Sequence, residues 1–172
     1  LEPDTRADNV FQPARTIELV APFADLQVEV VVGPESVAEG GNAAVAWRVR
    51  NLGDTATDVA AWTDYVYLST DPVLDAGDTL VAQVAHSGAL EVGATYTGNA
   101  EVAVPFGQLG DFWLIVHSDA TGQVFESAFE GNNVTAALTA TTLTGAPAPD
   151  LAVQTVNAPA DAAAGDALGQ VG

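Results

Sequence analysis

The sequence predicts an all-β protein, an antiparallel sandwich, and three observations carry that expectation. Apolar and polar residues alternate in short runs, most clearly in Val45, Trp47 and Val49 with Arg48 and Arg50 on the opposite face. Clusters of Gly, Pro, Asn and Asp punctuate these runs roughly every eight to fifteen residues. No long segment with a helical period of 3.6 residues interrupts them. Composition agrees. The chain is 48% hydrophobic, much of it Ala and Val, and only 16% charged. Helical bundles are richer in Leu, Lys and Glu.

Taken in order, residues 1–24 contain one plausible strand at Val10–Val20, closed by Ala21-Pro22. The run DLQVEVVVGP follows, with Leu26, Val28 and Val30 alternating, and a Gly/Glu turn leads to the strand Ala43–Asn51. After the polar turn 51–57 comes the stretch on which the chain is centred, WTDYVYLSTDPVLDAGD at 62–78. Its first half suits a pleated surface through Tyr65, Val66, Tyr67 and Leu68. Asp71-Pro72 then stops the strand, since proline has no N–H for a ladder. Further strands are expected at Thr79–His86 and at Thr95–Val104, where Tyr96, Ala100, Val102 and Val104 share a side. Asp111–Ser118 is apolar on both faces, as a central strand is. A hairpin at DATGQ leads to Val124-Phe125, and Val134–Leu143 reads as the last strand. The expected fold is an immunoglobulin-like antiparallel β-sandwich of about seven strands.

Charge excludes several functions. Asp and Glu number 23 against four arginines, a net charge of −19. Such a surface repels phosphate backbones and anionic headgroups, which argues against nucleic-acid binding and polybasic membrane docking. It fits a solubilising surface in salty surroundings, or a chain neutralised by divalent cations. With no cysteine, disulfides and thiolate metal sites are excluded. No apolar run approaches the roughly 20 residues of a bilayer span, so no membrane insertion is expected. The start, LEPDTRADN, lacks the basic and apolar regions of a signal peptide, which places any export signal outside this chain.

The chain also resembles itself. DLQVEVVVGPESVAEG at Asp25–Gly40 aligns with DLAVQTVNAPADAAAG at Asp150–Gly165, a shift of 125. The pairs Asp25/Asp150, Leu26/Leu151, Val28/Val153, Val31/Val156, Pro34/Pro159 and Gly40/Gly165 are identical. Asp8-Asn9-Val10 similarly echoes Asn132-Asn133-Val134. Together these divide the chain into the last strand of one repeat (1–21), a complete module (22–145) and the start of the next (146–172). Neither flank could bury a face alone.

These motifs carry a family likeness. Pro22–Val28 reads P-x-x-D-L-x-V, and Ala43–Asn51 holds Val-x-Trp-x-Val before Asn51-Leu52-Gly53. DYVYLSTDPVLDAGD, GALEVGATYT at Gly88–Thr97, and the ending D-x-x-x-x-V-x-E-x-x-x-E-x-N-N at Asp119–Asn133 complete the set. The module resembles CARDB, a cell-adhesion-related domain of large bacterial and archaeal surface proteins. The resemblance implies tandem immunoglobulin-like sandwiches with an adhesive or scaffolding role and no single defined ligand.

Two acidic blocks are candidate metal sites, with Ca²⁺ the expected ion. Asp71, Asp75 and Asp78 place carboxylates every three or four residues in a short loop, and hard cations need several oxygens at close range. Ser69 could add a ligand, and Asp64 is a more distant one. The spacing is not that of an EF-hand. The structural alternative is that Asp71 caps a one-turn helix begun by Pro72 while Asp75 and Asp78 set turns. Glu126, Glu130 and Asn132, with Asp119 and Asn133 nearby, form the second block. Its alternative is loop side chains bonded to their own backbone. His86 and His117 lie apart with no second ligand at metal spacing. There is no G-x-S-x-G elbow, and abundant carboxylates are uninformative about glycosidase chemistry. Trp47, Trp62 and Trp113 sit in strands, where aromatics are usually core, although Trp62 or Trp113 could form a sugar-binding platform.

The resulting expectation is a non-enzymatic extracellular repeat: a rigid, calcium-stabilised spacer in a long surface or secreted protein. Its partners would be neighbouring repeats or identical subunits, with cell-surface glycans or proteins as adhesion targets. Two rivals remain. One is a filament subunit assembled by β-strand addition between neighbours. The other is an accessory carbohydrate-binding domain of a secreted hydrolase.

Overall fold

The computed structural model describes residues 21–147 and 150–155. The strand expected at Val10–Val20 and most of the repeated segment at 150–165 lie outside them. Among the described residues nine strands form: β1 (Leu26–Val32), β2 (Ser36–Ala38), β3 (Asn42–Asn51), β4 (Ala61–Ser69), β5 (Thr79–Ser87), β6 (Thr95–Ala103), β7 (Gly110–His117), β8 (Val134–Ala136) and β9 (Thr141–Thr144). There is no helix among the described residues. One sheet has the order β1-β3-β6, the other β2-β9-β7-β4-β5 with β8 also on β7. The pairs are antiparallel except β2–β9, which run parallel.

The strand count exceeds the expected seven for two reasons. Ser36–Ala38, read as part of a turn, pairs with β9. The single last strand expected at Val134–Leu143 is two short ones, each using a different stretch of β7. Between them the Ala137 N–H donates to the Leu114 carbonyl and Leu138 swings into solvent at 95% exposure. In β1 the alternation also slips. Leu26 and Val28 face the core, but a register shift between Val28 and Val30 turns Val31 inward instead of Val30. One extra residue in a strand reverses every side chain after it.

The core lies between the sheets, where Leu26, Val45, Trp47 and Val49 meet Trp62, Val66, Leu114 and Val116. Fully burying an aliphatic side chain of this kind contributes roughly 1.5–3 kcal/mol. Gly98 in β6 lies opposite Trp47 in β3, and a Cβ there would come within 2.2 Å of the indole. The absent side chain is the space Trp47 occupies.

The chain crosses the sandwich from end to end. β1 begins beside Asn51, the last residue of β3, and the Leu52 N–H donates to the Asp25 carbonyl. β9 finishes beside Ala38, where the Glu39 N–H donates to the Thr144 carbonyl, next to the start of β3. The ten residues of β3 separate these ends by roughly 30 Å.

Gly98→Ala is expected to cost about 1–3 kcal/mol, because the methyl group has to displace a packed indole. A urea midpoint unchanged from wild type would show that Trp47 has room to move.

Candidate functional site

The most heavily bonded carboxylate among the described residues is Asp64, in the middle of β4. Alternation along β4 turns Trp62, Asp64, Val66 and Leu68 to the interior, so a carboxylate stands in an otherwise apolar row. It has 1% exposure. Trp47 Nε1 (2.8 Å) and the Tyr96 hydroxyl (2.7 Å) donate to Oδ2. Ser118 Oγ (3.0 Å) and the Asp119 N–H (3.2 Å) donate to Oδ1. Burial, and then the Asp64 carboxylate, push the Tyr96 phenol far above its ordinary value and keep it a donor. Trp62 Nε1 donates to the Tyr96 oxygen at 3.1 Å, and the His86 ring packs 4.0 Å from both the Trp62 and Tyr96 rings. An opening of about 300 Å³ lies beside this group between β5 and β6, lined by His86, Tyr96, Thr97 and Asn99.

The Asp71–Asp78 loop uses its carboxylates locally. Asp71 Oδ1 accepts from the Val73 N–H (2.8 Å), Asp75 Oδ1 from Gly77 (2.6 Å) and Asp78 Oδ2 from Asp75 (2.8 Å). Ser69 Oγ accepts the Asp71 N–H at 3.1 Å. The bonds of Asp71 and Asp75 are Asx turns, that of Ser69 is the equivalent hydroxyl turn, and Asp78 closes the loop back onto Asp75. No one-turn helix forms at Pro72.

The second block folds into the Asn51 end of the sandwich. Glu126 is fully buried and accepts from the Leu26 N–H and from Asn133 Nδ2. Glu130 Oε1 accepts the Glu126 N–H at 3.0 Å, and Asn132 Nδ2 donates to Asp25 Oδ1 at 3.0 Å. Asp119 holds the Gln123 and Val124 N–H groups. Asp119 and Ser127 take positive φ, 46° and 57°, to close the loop. Phe23 stacks on Phe129 at 5.4 Å. This block fastens the start of β1 to the 119–133 loop.

Burial pushes Glu126 up to about 7, against the lowering effect of its two donors, and raises Asp119 in the same sense. His117 is lowered, by burial first. Among the described residues no group of three or more His, Asp or Glu side chains is arranged to hold a metal ion. The six candidate ligands fall into two separate sets: Asp71, Asp75 and Asp78 in a solvent loop, and Glu126, Glu130 and Asn132 around the β1 junction. Trp62 is buried and offers no face to a sugar, while Trp113 is half-buried in β7. Asp64, a distant ligand by sequence, takes the central place in the fold. The signal was available in its parity with Trp62 and Val66.

Fold and site together define a β-sandwich module whose two sheets meet around a buried carboxylate. The CARDB family model matches residues 23–137, and the chain belongs to the CARDB family. Among solved structures it is similar to the CARDB domain of the PF1109 protein from Pyrococcus furiosus, crystallised in complex with di-metal ions. The TM-score is 0.51 at 21% identity, covering 74% of this chain and 95% of that one. The solution structure of the same domain gives a TM-score of 0.51 at 22% identity, covering 72% and 97%. A β-glucosidase from Listeria innocua in complex with isofagomine matches at a TM-score of 0.43 and 17% identity, covering 71% of this chain and 16% of that one. No curated protein matches the chain.

Two predictions follow from these bonds. Asp64→Asn brings an amide N–H₂ among four donors and is expected to cost roughly 2–4 kcal/mol. Tyr96→Phe removes one donor of the four and is expected to cost about 1 kcal/mol. Equal urea midpoints for the two variants would mean that the network is not centred on the carboxylate.

The other concerns pH. Glu126 binds its proton more tightly folded than unfolded, so its protonated form supports the fold. That contribution is lost as pH rises from about 4.5 through about 7. In Glu126→Gln the new amide oxygen can accept the Leu26 N–H, and a turned Asn133 can offer its unpartnered Oδ1 to the new N–H₂. Wild-type stability relative to this variant is expected to fall by up to about 1 kcal/mol per pH unit across that range. Asp119 and His117 are common to both proteins and cancel. Parallel melting curves from pH ~5 to ~8 would refute the shifted Glu126.

Proposed function

We propose that the module is a non-enzymatic, extracellular structural repeat, a rigid spacer in a long surface or secreted protein. One observation carries this reading: the chain comes in beside Asn51 and leaves beside Ala38 and Thr144, at opposite ends of the sandwich. Modules joined through such ends extend in a line, whereas ends on one side would fold them back on each other. The segment GAPAPD at 145–150 supports the same reading, because two prolines limit the conformations of the joint. Module-to-module continuation agrees with the sequence echo between Asp25–Gly40 and Asp150–Gly165.

Calcium stabilisation is the finer part of the proposal. A net charge of −19 favours bound cations, and the relative from Pyrococcus furiosus was crystallised with di-metal ions. The bonds of the two acidic blocks do not make a ready ion cage. Any ion at the loop would use the carboxylate oxygens that Asp71, Asp75 and Asp78 leave free of their turn bonds.

Small-angle scattering from a polypeptide of two successive modules is expected to give a maximum dimension longer than one module by roughly 30 Å or more. A two-module particle no longer than one module would defeat the spacer reading. Melts in EDTA and in millimolar Ca²⁺ test the ion separately. A rise in Tm abolished by Asp71→Ala or Asp75→Ala supports it, and identical melts remove it.

A further inference from the structure

We propose that the outer edge of β5 is a self-association surface, where a second copy of this chain adds its own β5 antiparallel across a two-fold axis. The inference is independent of the spacer reading. Among the described residues β5 ends its sheet, hydrogen-bonded to β4 on one side and to no strand on the other, with β6 of the facing sheet near it where His86 meets Tyr96. Its nine residues, TLVAQVAHS, contain no charged side chain and no proline, in a chain with 23 acidic residues. Natural sheets guard long free edges with charges, prolines, short strands or cover. The other edges of this molecule have such guards. β2 is three residues long, β6 carries Glu101, and β1 carries Glu29 and is covered by Thr135, whose hydroxyl donates to the Val28 carbonyl.

The backbone pattern fixes which groups are free. The Gly88 N–H donates to the Ala60 carbonyl, so Gly88–Ala60 is a bonded pair of the β4–β5 ladder. By alternation His86, Val84 and Ala82 bond to Trp62, Asp64 and Val66. The N–H and C=O groups of Gln83, Ala85 and Ser87 therefore point away from β4. Their side chains lie on the outer face, and all three are exposed. The register shift between Ala82 and Leu80 breaks this pattern at Val81, which confines the free ladder to Gln83–Ser87.

Those three residues suit a copy of themselves. With the axis at Ala85, Ala85 faces Ala85 of the second copy and Gln83 faces its Ser87, giving about six main-chain hydrogen bonds. The small Ala85 side chains meet without a clash, and each Gln83 amide reaches a hydroxyl. No carboxylate enters the ladder, which matters because any contact between two such acidic chains has to avoid opposing carboxylates. A contact of this size falls at the low end of specific interfaces, about 1,200 Å² or less. The dimer is accordingly weak and concentration-dependent.

Sedimentation equilibrium of the full chain tests this. Average mass is expected to rise from 17.5 kDa towards a dimer with concentration, and to do so more readily as salt screens the repulsion between the copies. Ala85→Lys opposes two like charges at the axis, and Ala85→Pro removes an N–H that β4 does not use. Each is expected to weaken association at least about tenfold with Tm changed little for Ala85→Lys. Because the chain has no cysteine, Ala85→Cys supplies one thiol per copy. Oxidation is expected to cross-link it, and not Leu138→Cys, which is 95% exposed on another part of the surface. A monomer at every concentration, an assembly indifferent to Ala85→Lys, or equal cross-linking of the two cysteine variants would each overturn the proposal.

Discussion

The Asp64 carboxylate sits between the sheets and accepts from Trp47 in β3, Tyr96 in β6, and Ser118 and Asp119 just past β7. A buried ion costs several kcal/mol unless its hydrogen bonds are made. Here two donors come from each side of the sandwich, so the sheets have to close in one relative position to satisfy it. Apolar packing alone would tolerate small slips; four donors around one carboxylate would not. The arrangement extends outward from there. Trp47 can reach Asp64 only because β6 has no side chain at Gly98, and Tyr96 stays protonated because burial, and then the carboxylate beside it, disfavours its charged form.

The Asn51 end repeats this logic with backbone as the client. Asn51 is fully buried, and its amide serves the Asp25 and Gly53 N–H groups and the Thr55 and Leu90 carbonyls. Glu126 takes the next free N–H of β1, that of Leu26. Loops cannot satisfy their polar groups by a ladder, so buried amides and carboxylates replace it. The acidic composition therefore has two unlike origins. Among the described residues some carboxylates are structural acceptors inside the fold, and others lie on its surface.

Sequence alternation made most of the fold legible. Val45, Trp47 and Val49 are inside and Arg48 and Arg50 outside, as their spacing predicts. What escaped were events that alternation does not encode: the slip after Val28, the three-residue β2, and the break at Ala137–Ala140. The site was less legible, for a physical reason. A carboxylate that binds an ion and one that binds backbone N–H groups follow the same sequence pattern, and only the folded distances separate them. Asp71, Asp75 and Asp78 form a ligand row in sequence, and in the fold one oxygen of each accepts a nearby N–H. Asp64 belongs to no ligand row, but polar residues on a buried parity are the ones that have to find partners.

Where the two ends lie also decides how force would pass through the module. Tension applied through residues before Leu26 and after Thr144 runs nearly along the strands, because β1 and β9 leave from opposite ends. Ladders loaded in this direction must break several hydrogen bonds together, whereas a hairpin pulled from one end opens bond by bond. The first bonds to feel the pull on β1 lie at its start, where the Leu26 N–H meets Glu126 and the Asp25 carbonyl accepts from Leu52. In a spacer under tension the buried acceptor cluster would be the first to carry the load. Its cost in desolvation, visible in the raised Glu126, is met where a spacer would most need a fixed junction.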